Sequence, residues 1–250
     1  MAGHSKWANI KHRKARQDAA KGKMWSKCSK AIIVAAKNGG GDPSANLTLR
    51  YAIDDARAAN MPKDTIEKAI KKGTGELEGA ASYEEVRYEG YGPNGVAIIV
   101  DCLTDNVNRT APEIKKIFER ANGNLGVPGS VAFGFRQRGL LTFDASSVTE
   151  EQIMEAALEA GADDVESSDG YWEVYTEPTD FMAVKQGLED AGFKSETAEI
   201  TMIPQTTVEC AGANAEKVLR LMETLEEHDD VQKVYANFDI PEGELANLEN

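Results

Sequence analysis

From Leu140 to Ile203 the chain switches between two hydrophobic periods in an order that leaves few folds open. "LLTFD" (140–144) alternates as a strand does. "TEEQIMEAALEAG" (149–161) has helical spacing, a capping box from Thr149 to Gln152, and Gly161 as its stop. "DDVESSDGYWEVYT" is a hairpin turned at Asp169-Gly170. "DFMAVKQGLEDAG" is a helix with Phe181, Val184 and Leu188 inward, and "AEITMI" is a last strand ended by Pro204. The order βαββαβ is the ferredoxin-like plan.

The flanks predict a second unit of the same kind. "YEEVRYEGY" and "GVAIIVDCL" flank the turn "GPNG". "RTAPEIKKIFERANG" reads as a helix capped by Thr110, with Pro112 in its first turn. "SVAFGF" reads as a further strand. Beyond Pro204 come "TTVEC", a helix over 214–227 and "DVQKVYANFD", which are expected to complete the sheet begun at Ser82. Residues 139–203 are therefore expected to form a domain inserted into a middle domain of residues 79–138 plus 204–240.

Ahead of both, residues 1–78 read as a basic arm and a three-helix domain. Trp25, Cys28, Ile32 and Ala35 share one helical face, and Lys23, Lys27, Lys30 and Lys37 the opposite one. Gly39-Gly40-Gly41 stops that helix. A second runs over Leu47–Ala59. A third starts at Asn60-Met61-Pro62 with Asn60 as its cap and Gly73 as its terminator. The fold class is α+β multidomain: three helices behind a basic arm, then two α/β domains of ferredoxin-like type, the last inserted into the middle one.

Charge is segregated along this order. Met1–Lys72 carries 16 Lys+Arg and 6 Asp+Glu, net +10; Gly73–Asn250 carries 12 and 36, net -24. Net charge alone speaks to solubility, but such asymmetry points to a polyanionic partner for the basic part. The stretch "GHSKWANIKHRKARQDAAKGK" holds seven cations and one acid. Lys6, Lys11, Arg13, Lys14, Arg16, Lys21 and Lys23 are expected to neutralise phosphates, with Lys27 and Lys30 extending the footprint. Trp7 and His12 lie among them, where an aromatic ring stacks on a base or packs on the helices. Asn106, Asn108, Arg109 and Thr110 precede or open a helix, where they cap it or supply a second phosphate contact.

Other chemistry is not indicated. Cys28, Cys102 and Cys210 form no CxxC pair, which gives no metal or disulfide framework and suits burial in a reducing cytoplasm. The best apolar run, Val96–Val100, is strand-sized, so no membrane role is expected. "NGGGDP" and "KKGTGE" lack the Lys-Ser/Thr of a phosphate loop, "NGNLGVPGS" reads as a structural loop, and there is no GxSxG elbow. No catalytic residue, metal or cofactor is assigned, and the chain is expected not to be an enzyme.

The arm, "AAKNGGGDP", "YEGYGPNGVAIIV", "NRT", "GNLGVPGSVAFGF" and "IMEAALEAGADDV" closely resemble the YebC family, almost end to end; Asn122 stands where many members have Gly. The resemblance implies a helical N-terminal domain and two α/β domains in an open, cleft-bearing shape, with no cofactor. It also implies regulation of gene expression: members are described as transcriptional regulators, and one is a mitochondrial translational activator. Three readings follow. The first is a DNA-binding transcriptional regulator working with the transcription machinery. The second is an RNA- or ribosome-associated translation factor. The third is an adaptor whose arm docks an acidic protein.

Overall fold

The computed structural model describes residues 19–77, 82–168 and 170–241, with the backbone alone at residues 19–21. Three helices come first: α1 (Ala19–Gly39), α2 (Leu47–Ala58) and α3 (Lys63–Gly73). The apolar face of α1 buries Cys28, Ile32, Ala35 and Ala36 against Leu49, Ile53 and Ala56 of α2 and Ile66 and Ala69 of α3. Trp25 lies at the edge of this core and donates its ring N–H to the Ala59 carbonyl at 2.9 Å. Asn46 joins two elements. Its side chain accepts the Leu49 N–H at 3.0 Å, capping α2, and donates to the carbonyls of Ala35 and Gly40 at the end of α1.

Two helix ends differ from expectation. Asn60 does not cap α3. It adopts a left-handed conformation (φ 56°) and terminates α2, its N–H returning to Arg57 and that of Met61 to Ala56. Pro62 stands at the cap position of α3, with no side-chain bond. The terminator of α3 is Gly75 (φ 80°), not Gly73. Gly73 is small for packing: a Cβ there would lie 2.5 Å from the Ile33 carbonyl oxygen of α1.

The middle domain is an antiparallel sheet of β1 (Glu84–Tyr91), β2 (Ala97–Thr104), β3 (Asn124–Leu125) and β9 (Val231–Ala236), in the order β3-β1-β2-β9. Helices α4 (Val107–Arg120) and α7 (Ala213–Glu226) cover one face. There Ile98, Val100 and Cys102 meet Ile114 and Phe118 of α4 and Val218, Leu221 and Met222 of α7. Helix α4 begins earlier than expected. Asn106, not Thr110, is its cap, accepting the Arg109 N–H at 3.1 Å, and Pro112 lies in the helix interior.

The inserted domain comprises β4 (Phe135–Asp144), α5 (Glu150–Ala160), β5 (Asp164–Ser168), β6 (Tyr171–Thr176), α6 (Phe181–Asp190) and β7 (Thr197–Pro204). Its strand order β5-β6-β4-β7, all antiparallel, is that of a ferredoxin-like sheet with both helices on one face. The Thr149–Gln152 capping box and left-handed Gly161 bound α5 as expected. "SVAFGF" is not a separate strand. Residues Ala132–Gly134 form a short 3-10 turn, because the N–H groups of Val131 and Ala132 bond the Glu89 carboxylate instead of a strand; β4 begins at Phe135. Nor does "TTVEC" join the middle sheet. β8 (Val208–Glu209) pairs in parallel with β10 (Phe238–Asp239) as a separate ribbon, and Cys210, Phe238 and Ile240 pack into the middle core.

The domains pack on one another. Ala97, Ile99 and Tyr235, on the second face of the middle sheet, meet Val131, Phe135 and Met202. Tyr51 of α2 donates to the Pro178 carbonyl at 2.8 Å and sets its ring edge-on to Phe181 of α6. Lys233 of β9 is paired with Glu199 of β7 at 3.1 Å. Burial opposes its charge, and Glu199, with Tyr235 and Asp55, outweighs that and holds the ammonium protonated.

Candidate nucleic-acid interface

Lys6, Trp7, Lys11, His12, Arg13, Lys14 and Arg16 lie outside the described residues, as does the side chain of Lys21. The rest of the expected footprint is described, and it splits into two groups with different surroundings.

The lysine row of α1 is seated on the C-terminal end of α7. Lys27 Nζ donates to the Glu226 carbonyl at 2.6 Å, Lys23 to that of Glu227 at 3.1 Å, and Lys30 to that of Asp229 at 3.0 Å. The last carbonyls of a helix have no intrahelical partner and carry the negative end of its dipole. The ammonium groups of Lys27 and Lys23 answer both needs at Glu226 and Glu227, and Lys30 holds the turn that follows. Among the described residues these lysines therefore join two domains; Lys23 keeps 60% of its side chain exposed and Lys30 only 14%.

Behind that joint lies Asp230, 3% exposed. One oxygen accepts from Lys30 at 2.9 Å; the other accepts from Arg109 at 2.7 Å, Thr110 at 2.8 Å and Thr104 at 3.1 Å. Burial alone would raise this carboxyl, but the bonds from Arg109, Lys30 and Thr110 hold it far below the usual carboxylate range. Asn106, Arg109 and Thr110 thus each have partners within the fold. Asn106 caps α4, Arg109 spans Asp230 and Asp105 (3.0 Å), and Thr110 is buried. Asn108 is exposed on the first turn of α4.

Between α1 and the middle domain opens a cleft of about 740 Å³, with Lys23, Lys116 and Arg120 facing Glu113, Glu227 and Asp229. His228 lies at its edge. Its Nδ1 accepts the Asp230 N–H at 3.2 Å, so the ring proton sits on Nε2, 3.0 Å from Glu113. The mixed signs make this cleft a poor phosphate site. Among the described residues no three or more His, Cys, Asp or Glu are placed to hold a metal ion, and no helix is long and apolar enough to cross a membrane. The three cysteines are buried and free.

The open positive surface is elsewhere. Lys63, Lys68, Lys71 and Lys72 of α3 are exposed. Among the described residues, Lys63 is the one of the four in an ion pair, with Glu67 at 3.7 Å and itself exposed. Lys71 and Lys72 lie in the last turn of α3, where they also balance its dipole. The signal was available: the helix is amphipathic, and Ile66 and Ala69 turn its lysines outward.

Family models match nearly the whole chain: "TACO1/YebC protein N-terminal domain" over residues 5–76 and "TACO1/YebC second and third domain" over residues 83–238. A "Probable transcriptional regulatory protein" of Dictyoglomus turgidum is 57% identical over 249 residues, covering 99% of this chain and all of its own. One of Geobacter sulfurreducens is 55% identical over 248 residues, with the same coverage. The crystal structure of a conserved hypothetical protein, Aq1575 of Aquifex aeolicus, superposes with a TM-score of 0.80 at 47% identity, over 90% of this chain and 93% of that one. The helical N-terminal domain, the interrupted middle sheet and the matched motifs agree, and the chain belongs to the TACO1/YebC family.

Proposed function

We propose that the chain is a non-enzymatic, nucleic-acid-binding regulator of gene expression that grips phosphate through its arm and N-terminal helices. The observation that carries this is the confinement of positive charge to one end, net +10 over Met1–Lys72 against -24 beyond, with four lysines of α3 open to solvent. Lys6, Lys11, Arg13, Lys14, Arg16 and Lys21 supply the arm's contacts. Lys63, Lys68, Lys71 and Lys72 continue them along α3. Lys27 and Lys30 reach phosphate only if α1 leaves the end of α7. The acidic domains repel stray polyanion and orient the basic end. The protein acts in the cytoplasm.

The names of the relatives support transcriptional control through DNA as the first reading. Lysine contacts position a protein on a duplex but do not read bases, so sequence preference must come from another surface. A second reading, an RNA- or ribosome-directed factor, is favoured by the exposed ring of Phe133, since stacking suits unpaired bases. Crosslinking in living cells, recovery of the full chain and sequencing of the attached nucleic acid separate the two. Discrete promoter DNA is the outcome of the first, ribosomal or messenger RNA of the second; neither above background refutes both.

A further inference from the structure

Away from the basic end, one loop combines an exposed aromatic ring with a rigid mount. Residues 126–134 link β3 to β4 across the second face of the middle sheet. Beneath them Glu89 of β1 is 5% exposed. Its Oε1 accepts the Gly129 N–H at 2.7 Å, its Oε2 accepts those of Val131 and Ala132 at 2.8 Å, and its backbone carbonyl accepts that of Gly126 at 2.7 Å. Burial works against the charge, but the three N–H bonds prevail and hold the carboxyl below its usual range. Tyr91 donates its hydroxyl to the Ser130 carbonyl at 3.1 Å, and Val131 and Phe135 are buried on either side. From this mount Phe133 stands out at 78% exposure and Val127 at 72%.

A single exposed apolar side chain needs no explanation. Here three further facts bear on what it meets. The backbone of the loop is fixed by a buried charge, so presenting the ring costs no backbone ordering at binding. The stretch from Arg120 to Phe143 contains no Asp or Glu, although 36 acids fall between Gly73 and Asn250, and it includes Arg120, Arg136 and Arg138. Arg136, three residues beyond Phe133, is exposed; Arg138 is held by Asp163 at 2.8 Å. The exposed apolar residues of the loop besides the ring are Val127 and Pro128, fewer than the apolar core a protein partner buries. A flat exposed ring, an exposed arginine three residues on, and a loop whose one bonded carboxylate, Glu89, is buried match the face of a base and its phosphate.

We propose that Phe133 is a stacking platform for an unpaired base of a single-stranded nucleic acid, with Arg136 taking an adjacent phosphate, as a contact separate from the basic arm. The inference rests on the nucleic-acid reading above and adds a second site to it. The test uses the full chain and fluorescence anisotropy with a labelled 20-nucleotide oligouridylate, a single DNA strand of the same length, and the matching duplex. Phe133→Ala is expected to weaken both single strands by about 5- to 150-fold, the effect of losing one stacked base. Phe133→Trp should retain their binding. Duplex affinity should be unchanged, and so should the slope of log K against log salt, because no charge is removed. Equal single-strand affinity for Phe133→Ala and wild type overturns the proposal, as does an equal loss on duplex. A variant with Lys11, Arg13, Lys14 and Arg16 all changed to Gln separates the two claims. If it loses binding while Phe133→Ala does not, the stacking site falls and the proposed function stands; the reverse pattern removes the arm and keeps the loop. Wild-type protein that binds none of the three probes refutes both. A protein that co-purifies with wild type and is lost with Phe133→Ala, at unchanged oligonucleotide affinity, assigns the loop to a protein and overturns the proposal.

Discussion

Replacing Asp230 by Asn keeps the shape of the side chain and removes the charge on which four side-chain donors converge. Removing one partner of a buried ion pair costs about 3–5 kcal/mol. Here the cost is lower, because Arg109 is 44% exposed and keeps Asp105, while Lys30 keeps the Asp229 carbonyl. That leaves about 2–4 kcal/mol, or a fall in melting temperature of about 4–16 °C for a chain of this size. The damage should be local: hydrogen exchange should quicken in α1 and the end of α7 before it does in the inserted domain. The pH dependence has a definite sign. The folded carboxyl of Asp230 titrates below its unfolded value, so its stabilisation is complete above that unfolded value, about 3.9, and is lost as pH falls toward the folded one. The Asn variant should lack this part of the acid loss. A stability change under about 0.5 kcal/mol with unaltered exchange in α1 would refute the assignment of Asp230 as the joint.

Other consequences are as specific. Glu89→Gln leaves one acceptor for three N–H donors; it should cost about 1–3 kcal/mol and open residues 126–134 to proteolysis while β2 and β9 stay protected. Gly73→Ala forces a methyl against the Ile33 carbonyl and Ala36, and should destabilise the N-terminal helices by about 1–3 kcal/mol, read as an earlier urea transition followed by the ring of Trp25. Lys68→Ala and Lys71→Ala should each reduce the salt slope of duplex binding by about 0.9, whereas Lys27→Ala, which loses a bond to the Glu226 carbonyl, should lower stability and leave the slope alone.

What could be read without coordinates was whatever local chemistry determines. Thr149, Gln152 and Gly161 bound α5 because cap and terminator act within a few residues. The apolar period of 181–188 and the alternation of 198–203 gave the inserted domain its order, and with it the interruption of the middle sheet. The misses arose where two residues fit one local role or where a distant group decided. Asn106 and Thr110 can both cap a helix; Asp230, 120 residues beyond Thr110, engages the threonine and leaves the cap to Asn106. Asn60 serves as well at a left-handed helix end as at a cap, and Pro62 directly before α3 does not decide between them. "SVAFGF" alternates like a strand, but Glu89, more than 40 residues earlier, captures its N–H groups. The lysine row of α1 was visible as a face. Its partner was not, because the end of α7 lies about 200 residues away in sequence.

The central claim is that the arm and α3 bind a polyanion through phosphate. Its most direct measurement is the affinity of the full chain for a 20-base-pair duplex between 50 and 200 mM salt, beside the variant with Lys11, Arg13, Lys14 and Arg16 changed to Gln. Engagement of about ten phosphates, by the six arm cations and the four α3 lysines, gives a slope of log K against log salt of roughly -9, and loss of four of them brings it to roughly -5. Equal slopes for the two proteins, or binding that ignores salt, would contradict it.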